Sequence, residues 1–203
     1  MLQHPEPRLI LASASASRQS LLAAAGLRFK VQPADVDEAS VKLAAQADGM
    51  SAADTALALA DLKAARVASR NPDALVIGAD QILVCDGVWF DKPEDRDAAR
   101  TQLQTLRGKS HSLATGVVCH RGSERIWQHS AAPRLTMRLF SDVFLEAYLA
   151  AEGDAVTLTV GAYRLEGRGV HLFAHVEGDH AAILGLPLLP LLSFLRQHGV
   201  LST

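Results

Sequence analysis

The segment Val76-Ile77-Gly78-Ala79-Asp80-Gln81-Ile82-Leu83-Val84 is apolar on both sides of a Gly-Ala-Asp step. A run of this length, rich in Val and Ile, reads as a buried strand. An ionised carboxylate in such a strand is expensive to bury. It must be neutralised through a raised pKa or matched by a cation or metal. Asp80 is therefore expected where a sheet meets a site. A competing reading makes Asp80 the cap of a turn between two short strands, and the local pattern leaves both open.

With 203 residues, 49% of them hydrophobic, the chain can build one α/β domain with a full core, or two small lobes. The net charge of −2 excludes a broad electrostatic footprint for nucleic acid and leaves room for a local phosphate pocket. Cys85 and Cys119 have neither metal-ligand spacing nor a disulfide framework, so they read as reduced core thiols of a cytoplasmic protein. Leu9 to Ala16 is apolar and small but short, lacks a strong basic flank and runs straight into Arg18, unlike a signal peptide. Ala181 to Leu195 is apolar too, yet it is too short to span a bilayer and contains Pro187 and Pro190. No membrane association is expected.

Along the chain, Arg8–Ala12 reads as a strand, Ser13–Ser17 as a small-residue loop, and Arg18–Ala25 as a helix closed by Gly26. Phe29–Gln32 returns as a strand into the acidic loop Asp35–Glu38. Ser51 caps a long helix to about Ser69, with Asp54 in its first turn. Leu75–Val84 is a strand, Asp86-Gly87 a hairpin turn and Val88–Phe90 the return strand. Asp95–Leu106 is a helix stopped near Gly108. Ser110–His120 and Ile126–Phe140 form a hairpin around Arg121-Gly122-Ser123. Ser141 caps a helix to about Ala151. Strands near Val156–Val160 and Val170–Val176 precede a helix from Leu188 to His198. Early alternation and later strand pairing predict a mixed sheet with helices on its faces. A soft boundary between two lobes falls near Phe90–Asp95.

Several residues could carry chemistry. On the helix from Ser51, the apolar face made by Ala56, Leu59, Ala60 and Val67 has Lys63 at its centre, while Asp54 and Asp61 lie on the solvated face. Lys63 either snorkels to the edge or meets a phosphate in a pocket. Ser13, Ser15, Ser17 and Arg18 form a strand-to-helix junction of the kind that presents backbone N–H groups and a positive dipole end to an anion. It is not a Walker A loop, because the glycines and the Lys-Ser/Thr pair are missing. Glu38 and Asp80 are the acidic pair, with Asp35 and Asp37 closer to ordinary solvated carboxylates. Lys92 precedes Pro93, which favours an extended backbone there and suits a positioned cation; otherwise it is an exposed turn lysine. The eight histidines form no close ligand set, and neither zinc-protease, deaminase nor nucleophile-elbow patterns occur.

Leu9-Ile10-Leu11-Ala12-Ser13-Ala14-Ser15-Ala16-Ser17-Arg18, Phe29 to Glu38, Gly78-Ala79-Asp80, Asp91-Lys92-Pro93, Gly108 to Gly116, Gly161 to Gly167, Glu177-Gly178-Asp179 and Gly185-Leu186-Pro187 follow one another in an order that resembles the Maf family of nucleoside triphosphate pyrophosphatases. The resemblance covers nearly the whole chain. It implies an α/β fold with a mixed twisted sheet and helices on its faces, in two lobes around a central cleft, forming one domain over residues 1–203. It implies hydrolysis of a nucleoside triphosphate to the monophosphate and pyrophosphate, a divalent Mg²⁺ or Mn²⁺ on Glu38 and Asp80, and a homodimer. By this resemblance Asp80 is catalytic, and Ser13, Ser15, Arg18, Lys63 and Lys92 bind phosphate. His111 and Thr115 fall in a block that supports the site. The family loop usually reads Ser-Pro-x-Arg-Arg; here Ala16 stands for the proline and Gln19 for the last arginine.

Three positions bear on the substrate. Gln81 and Glu166 resemble the branch acting on 7-methyl-GTP, where the dTTP/UTP branch has Thr and Gln. Ser17 departs from the Trp typical of the 7-methyl-GTP branch and removes a stacking platform. The alternatives are a pyrophosphatase for dTTP, UTP or modified pyrimidine nucleotides, and a non-catalytic nucleotide-binding factor linked to cell division.

Overall fold

The computed structural model describes residues 2–202. In chain order the elements begin with β1 (Leu9–Leu11), α1 (Ala16–Ala24), β2 (Phe29–Val31), α2 (Glu38–Ala47), α3 (Ala52–Ala68), β3 (Leu75–Cys85) and β4 (Val88–Phe90). They continue with α4 (Arg96–Leu106), β5 (Ser110–Arg121), β6 (Glu124–Ala131), β7 (Arg134–Met137) and α5 (Asp142–Glu152). The last are β8 (Phe173–Glu177), α6 (His180–Ile183) and α7 (Leu188–Gln197). The chain divides into two compact units, one of Met1–Gln81, Thr115–Ala131 and Asp179–Thr203, the other of Ile82–Ala114 and Ala132–Gly178. The crossings fall within β3 and β5 and at two later points, not once near Phe90–Asp95.

The first unit is built on β1. It pairs in parallel with β2 on one side, Leu9 opposite Phe29, and with β3 on the other, Leu9 opposite Leu75 and Leu11 opposite Ile77. The part of β5 from Thr115 pairs antiparallel with β6, so the sheet is mixed. Side chains alternate across a strand, and each face here gathers its own core. Leu9, Leu11, Leu75, Ile77 and Ala79 join Leu22, Val117 and the α7 residues Leu191, Phe194 and Leu195. Ile10, Ala12, Val76 and Ala74 meet Ala64, Val67 and Ala68 of α3 on the opposite face.

The second unit carries the distal ends of β3 and β5. β4 returns antiparallel on β3 through a tight turn in which Asp86 and Gly87 both have positive φ, 51° and 80°, the geometry of a two-residue hairpin. β5 pairs with β7, and β7 with β8, both antiparallel. α4 buries Ala99, Leu103 and Leu106, α5 buries Leu145, Tyr148 and Leu149, and Arg100 joins them through a two-pronged contact with Glu146 at 2.7 and 3.0 Å.

Four expectations about elements are corrected. The acidic run does not end in a loop. Asp37 caps α2, its carboxylate accepting from the Ser40 N–H at 3.1 Å and the Ser40 hydroxyl at 2.7 Å. The Ile126–Phe140 strand is broken at Ala132-Pro133 into β6 and β7, because proline has no N–H for the ladder. Residues 153–157 and 160–162 form 3₁₀ turns in place of the strand expected near Val156–Val160: Leu158 between them is helical (φ −84°, ψ −15°), and positive φ at Gly153 and Gly161 bends the chain on either side. The start of the last expected strand is likewise a 3₁₀ turn, Arg168–Leu172, before β8. No described helix is long and apolar enough to cross a membrane.

Candidate active site

α3 begins where its sequence says it should. The Ser51 hydroxyl accepts from the Asp54 N–H at 3.1 Å and donates to the Asp54 carboxylate at 2.6 Å. The helix then lies unusually close to the sheet. A Cβ at Gly78 would collide with the Ala60 carbonyl oxygen, and one at Gly116 would sit 2.6 Å from the Leu57 nitrogen. Absent side chains at these two positions let α3 descend onto β3 and β5. Lys63, buried at 7% exposure on that face, is thereby delivered to Asp80, itself 4% exposed.

The Lys63 ammonium donates to Asp80 Oδ1 at 2.6 Å and reaches Glu38 Oε1 at 2.7 Å. Lys63 does not snorkel; it bridges two carboxylates. Asp80 does not cap a turn either, since β3 runs unbroken through it. Its second oxygen, Oδ2, is buried with no hydrogen-bond partner. Glu38 stands in the first turn of α2, with its side chain 45% exposed. Asp61, expected on the solvated face of α3, instead meets His120, whose Nε2 lies 2.7 Å from Asp61 Oδ1.

The Ser-rich junction folds back on itself around Arg18. Ser15 caps α1, and the Ser13 hydroxyl accepts from the Ser15 N–H at 3.2 Å. Arg18 is buried and donates through Nε to the Gly185 carbonyl at 2.8 Å. Its Nη1 donates to the Ala79 carbonyl at 2.8 Å and to Ser13 Oγ at 3.1 Å. Burial lowers the Arg18 pKa from its ordinary value, and the Asp80 and Glu38 carboxylates oppose that shift. Arg18 thus ties the residue before Asp80 to the turn before α7. Gln19 donates to the Ala14 carbonyl at 3.2 Å and adds no charge.

Gln81 is anchored from the other side. Its amide nitrogen donates to Thr115 Oγ1 at 2.8 Å and to the carbonyls of Ala182 and Ile183 at 3.0 and 3.3 Å. Both residues flanking Asp80 are therefore held by named partners, a feature that sequence pattern did not reveal. Ser17, half-buried, lies in the first turn of α1.

Ser13, Ser15, Ser17, Arg18, Glu38, Lys63, Asp80 and Gln81 all belong to the first unit. Lys92 and Glu166 belong to the second, Lys92 exposed between β4 and α4, Glu166 exposed on a turn after Arg164. His111, also of the second unit, is buried and shares a 2.8 Å hydrogen bond with the Tyr163 hydroxyl; burial lowers its pKa to about 4. Among the described residues no group of three or more His, Cys, Asp or Glu side chains is arranged to hold a metal. Cys85 and Cys119 are buried and free, and burial raises both thiol pKa values.

The sequence profile described as Maf-like protein matches residues 8–198. The chain belongs to the Maf family. Among relatives in that family, a nucleoside triphosphate pyrophosphatase of Granulibacter bethesdensis is 55% identical over 195 residues, covering 96% of this chain and 99% of the relative. One of Paramagnetospirillum magneticum, with the same description, is 54% identical over 192 residues, covering 95% and 99%. A 7-methyl-GTP pyrophosphatase of Rhizobium meliloti is 45% identical over 197 residues, covering 97% and 99%. Within this Maf protein, Arg18, Lys63 and Asp80 are buried charged residues of the matched region, and half-exposed Glu38 reaches the same ammonium as Asp80.

Proposed function

We propose that this chain is a nucleoside triphosphate pyrophosphatase that converts 7-methyl-GTP to the monophosphate and pyrophosphate. The observation that carries the reading is the buried Lys63–Asp80 pair with one Asp80 oxygen left open. Lys63 holds Oδ1 and so sets the direction in which Oδ2 points. Water attacks the α-phosphorus, the bond to the oxygen bridging α and β phosphorus breaks, and the water proton passes to Asp80. Arg18, Lys63 and Lys92, with Ser13 and Ser15 at the start of α1, neutralise the triphosphate and the leaving pyrophosphate.

A divalent Mg²⁺ or Mn²⁺ fits this floor. Asp80 Oδ2 is a buried carboxylate oxygen without a partner, and half-exposed Glu38 offers a second hard oxygen. Two carboxylates are enough for such an ion when phosphate oxygens and water complete its shell. When bound, it supplies neutralisation of phosphate charge. A carboxylate has about four lone-pair sites, so Asp80 can serve Lys63, the ion and the water together.

Glu166 and Gln81 are the two positions whose chemistry bears on the base. A carboxylate at Glu166 accepts from both N1–H and N2–H₂ of a guanine edge and favours the positive charge of 7-methylguanine. Gln81 has its amide N–H groups committed to Thr115 and Ala182, which leaves its carbonyl oxygen as the atom to offer. Ser17 itself supplies no aromatic platform.

A panel of 7-methyl-GTP, GTP, UTP and dTTP with Mg²⁺ or Mn²⁺, scoring pyrophosphate against orthophosphate, tests the reading. Pyrophosphate release with the highest kcat/KM for 7-methyl-GTP is expected. Preference for UTP or dTTP would move the assignment to pyrimidine nucleotides. No turnover of any would leave a nucleotide-binding factor.

A further inference from the structure

Glu166 sits on the turn 164–167, closed by the Gly167 N–H donating to the Arg164 carbonyl at 3.1 Å. The arginines at its two ends, Arg164 and Arg168, converge on one carboxylate. Glu152, the last residue of α5, accepts from Arg164 Nη2 at Oε2, 3.0 Å, and from Arg168 Nη1 at Oε1, 3.3 Å. Its side chain is 2% exposed. A carboxylate so deeply buried is costly unless its partners are well placed, and the mechanism above has no use for it. Each of its oxygens holds one leg of the turn. Arg168 Nη1 also donates to the Ala151 carbonyl at 3.3 Å, which ties the second leg to the same helix end.

The approach to the turn is fixed residue by residue. The Ala162 carbonyl accepts from the Tyr148 hydroxyl at 3.1 Å. The Tyr163 carbonyl accepts from Thr159 Oγ1 at 2.7 Å, and the Tyr163 hydroxyl meets His111. Only beyond Tyr163 does Glu152 take over. Its loss would free the turn while leaving the segment before it in place.

We propose that Glu152 is a positioning residue for substrate discrimination: its two-arginine clasp sets the turn that presents Glu166 to the base. This rests on the assignment of Glu166 to the base. Bound substrate then finds the Glu166 carboxylate preset, and the clasp acts on binding of the base rather than on chemistry at phosphorus.

Glu152→Gln and Arg168→Met are compared with wild type on 7-methyl-GTP and UTP. KM for 7-methyl-GTP is expected to rise about tenfold with kcat within about twofold, and kcat/KM for UTP to stay within about twofold. Because Glu152 acts through Glu166, the double variant Glu152→Gln/Glu166→Gln should discriminate no worse than Glu166→Gln alone. Equal losses on both nucleotides, or losses that add in the double variant, overturn the proposal. Arg168 is largely exposed, so Arg168→Met carries the test should Glu152→Gln fail to fold. If the wild-type enzyme shows no preference for the 7-methylguanine base, the functional reading fails by itself. Amide exchange then reads the clasp: residues 164–168 should exchange about tenfold faster in Glu152→Gln with α3 and β3 unchanged, and unchanged exchange at 164–168 overturns it.

Discussion

Lys63 meets Asp80 and Glu38 within 2.7 Å, and the two carboxylates differ in what they can do without it. Glu38 is half-exposed and can turn to water. Asp80 cannot, so removing Lys63 leaves a buried carboxylate without its cation. Lys63→Met should lower unfolding free energy by about 3 kcal/mol, at the lower end for a broken buried pair, as read by urea titration. Part of that loss should return in Lys63→Met/Asp80→Asn, because the second change removes the stranded charge. Asp80→Asn alone keeps an acceptor for Lys63 and loses the proton acceptor. Its kcat should fall at least ~10²-fold, while its melting temperature drops by only a few degrees, about 1–2 kcal/mol. An Asp80→Asn enzyme with near-normal turnover would remove Asp80 from the chemistry.

At the scale of elements, the site depends on how closely α3 lies on the sheet. Gly78 faces the Ala60 carbonyl and Gly116 faces the backbone at Ala56 and Leu57. Neither neighbour is a flexible side-chain end that could move aside. Gly78→Ala should therefore push the helix outward and cost more than about 3 kcal/mol, the range of a strongly overpacked core site. The same shift lengthens the Lys63–Asp80 contact, so residual folded enzyme should lose turnover as well. Thermal melting and kcat on one preparation check both effects. A Gly78→Ala protein with unchanged melting temperature would show that the approach is not set at this glycine.

For the molecule as a whole, the buried histidine of the second unit sets an acid limit. His111 has a folded pKa of about 4, lowered by burial, against about 6.5 in the unfolded chain. Between those values the unfolded state binds the proton and the folded state does not, so stability falls as pH falls. The contribution is complete above about pH 6.5 and is lost as pH drops towards 4, amounting to roughly 3 kcal/mol. His111→Phe cannot titrate, though it strands the Tyr163 hydroxyl and lowers stability at all pH values. The slope of stability between pH 4 and 6.5, measured by denaturant titration, should flatten in that variant. An unchanged slope would assign the acid sensitivity to other groups.

What the chain's own pattern determined is the set of elements whose signals are local. The cap at Ser51, the periodic stripe of α3, the apolar run of β3 and the Asp86-Gly87 turn each need only a few neighbouring residues to act, and all stand as read. α2 was legible in principle, since Asp37 precedes an Ala-rich run, but adjacent carboxylates suggested a solvated loop. The turns at 153–157 and 160–162 were not, because the largely β-branched run Val156 to Val160 favours a strand while the folded backbone is helical at Leu158 and bends at Gly153 and Gly161 on either side. Asp80 and Lys63 stood out in the sequence for one reason: a charge in an apolar pattern is an anomaly that burial makes expensive. Which charge answers which could not be read there. Lys63 and Asp80 are 17 residues apart on different elements, and they meet only because two glycines let a helix settle onto a sheet. Glu152 carried even less signal, being one more acidic residue at a helix end. Only the folded backbone, by turning Arg164 and Arg168 towards it, made it a shared anchor. Period and capping are properties of neighbours along the chain; charge pairing belongs to groups that burial forces together from distant parts of it.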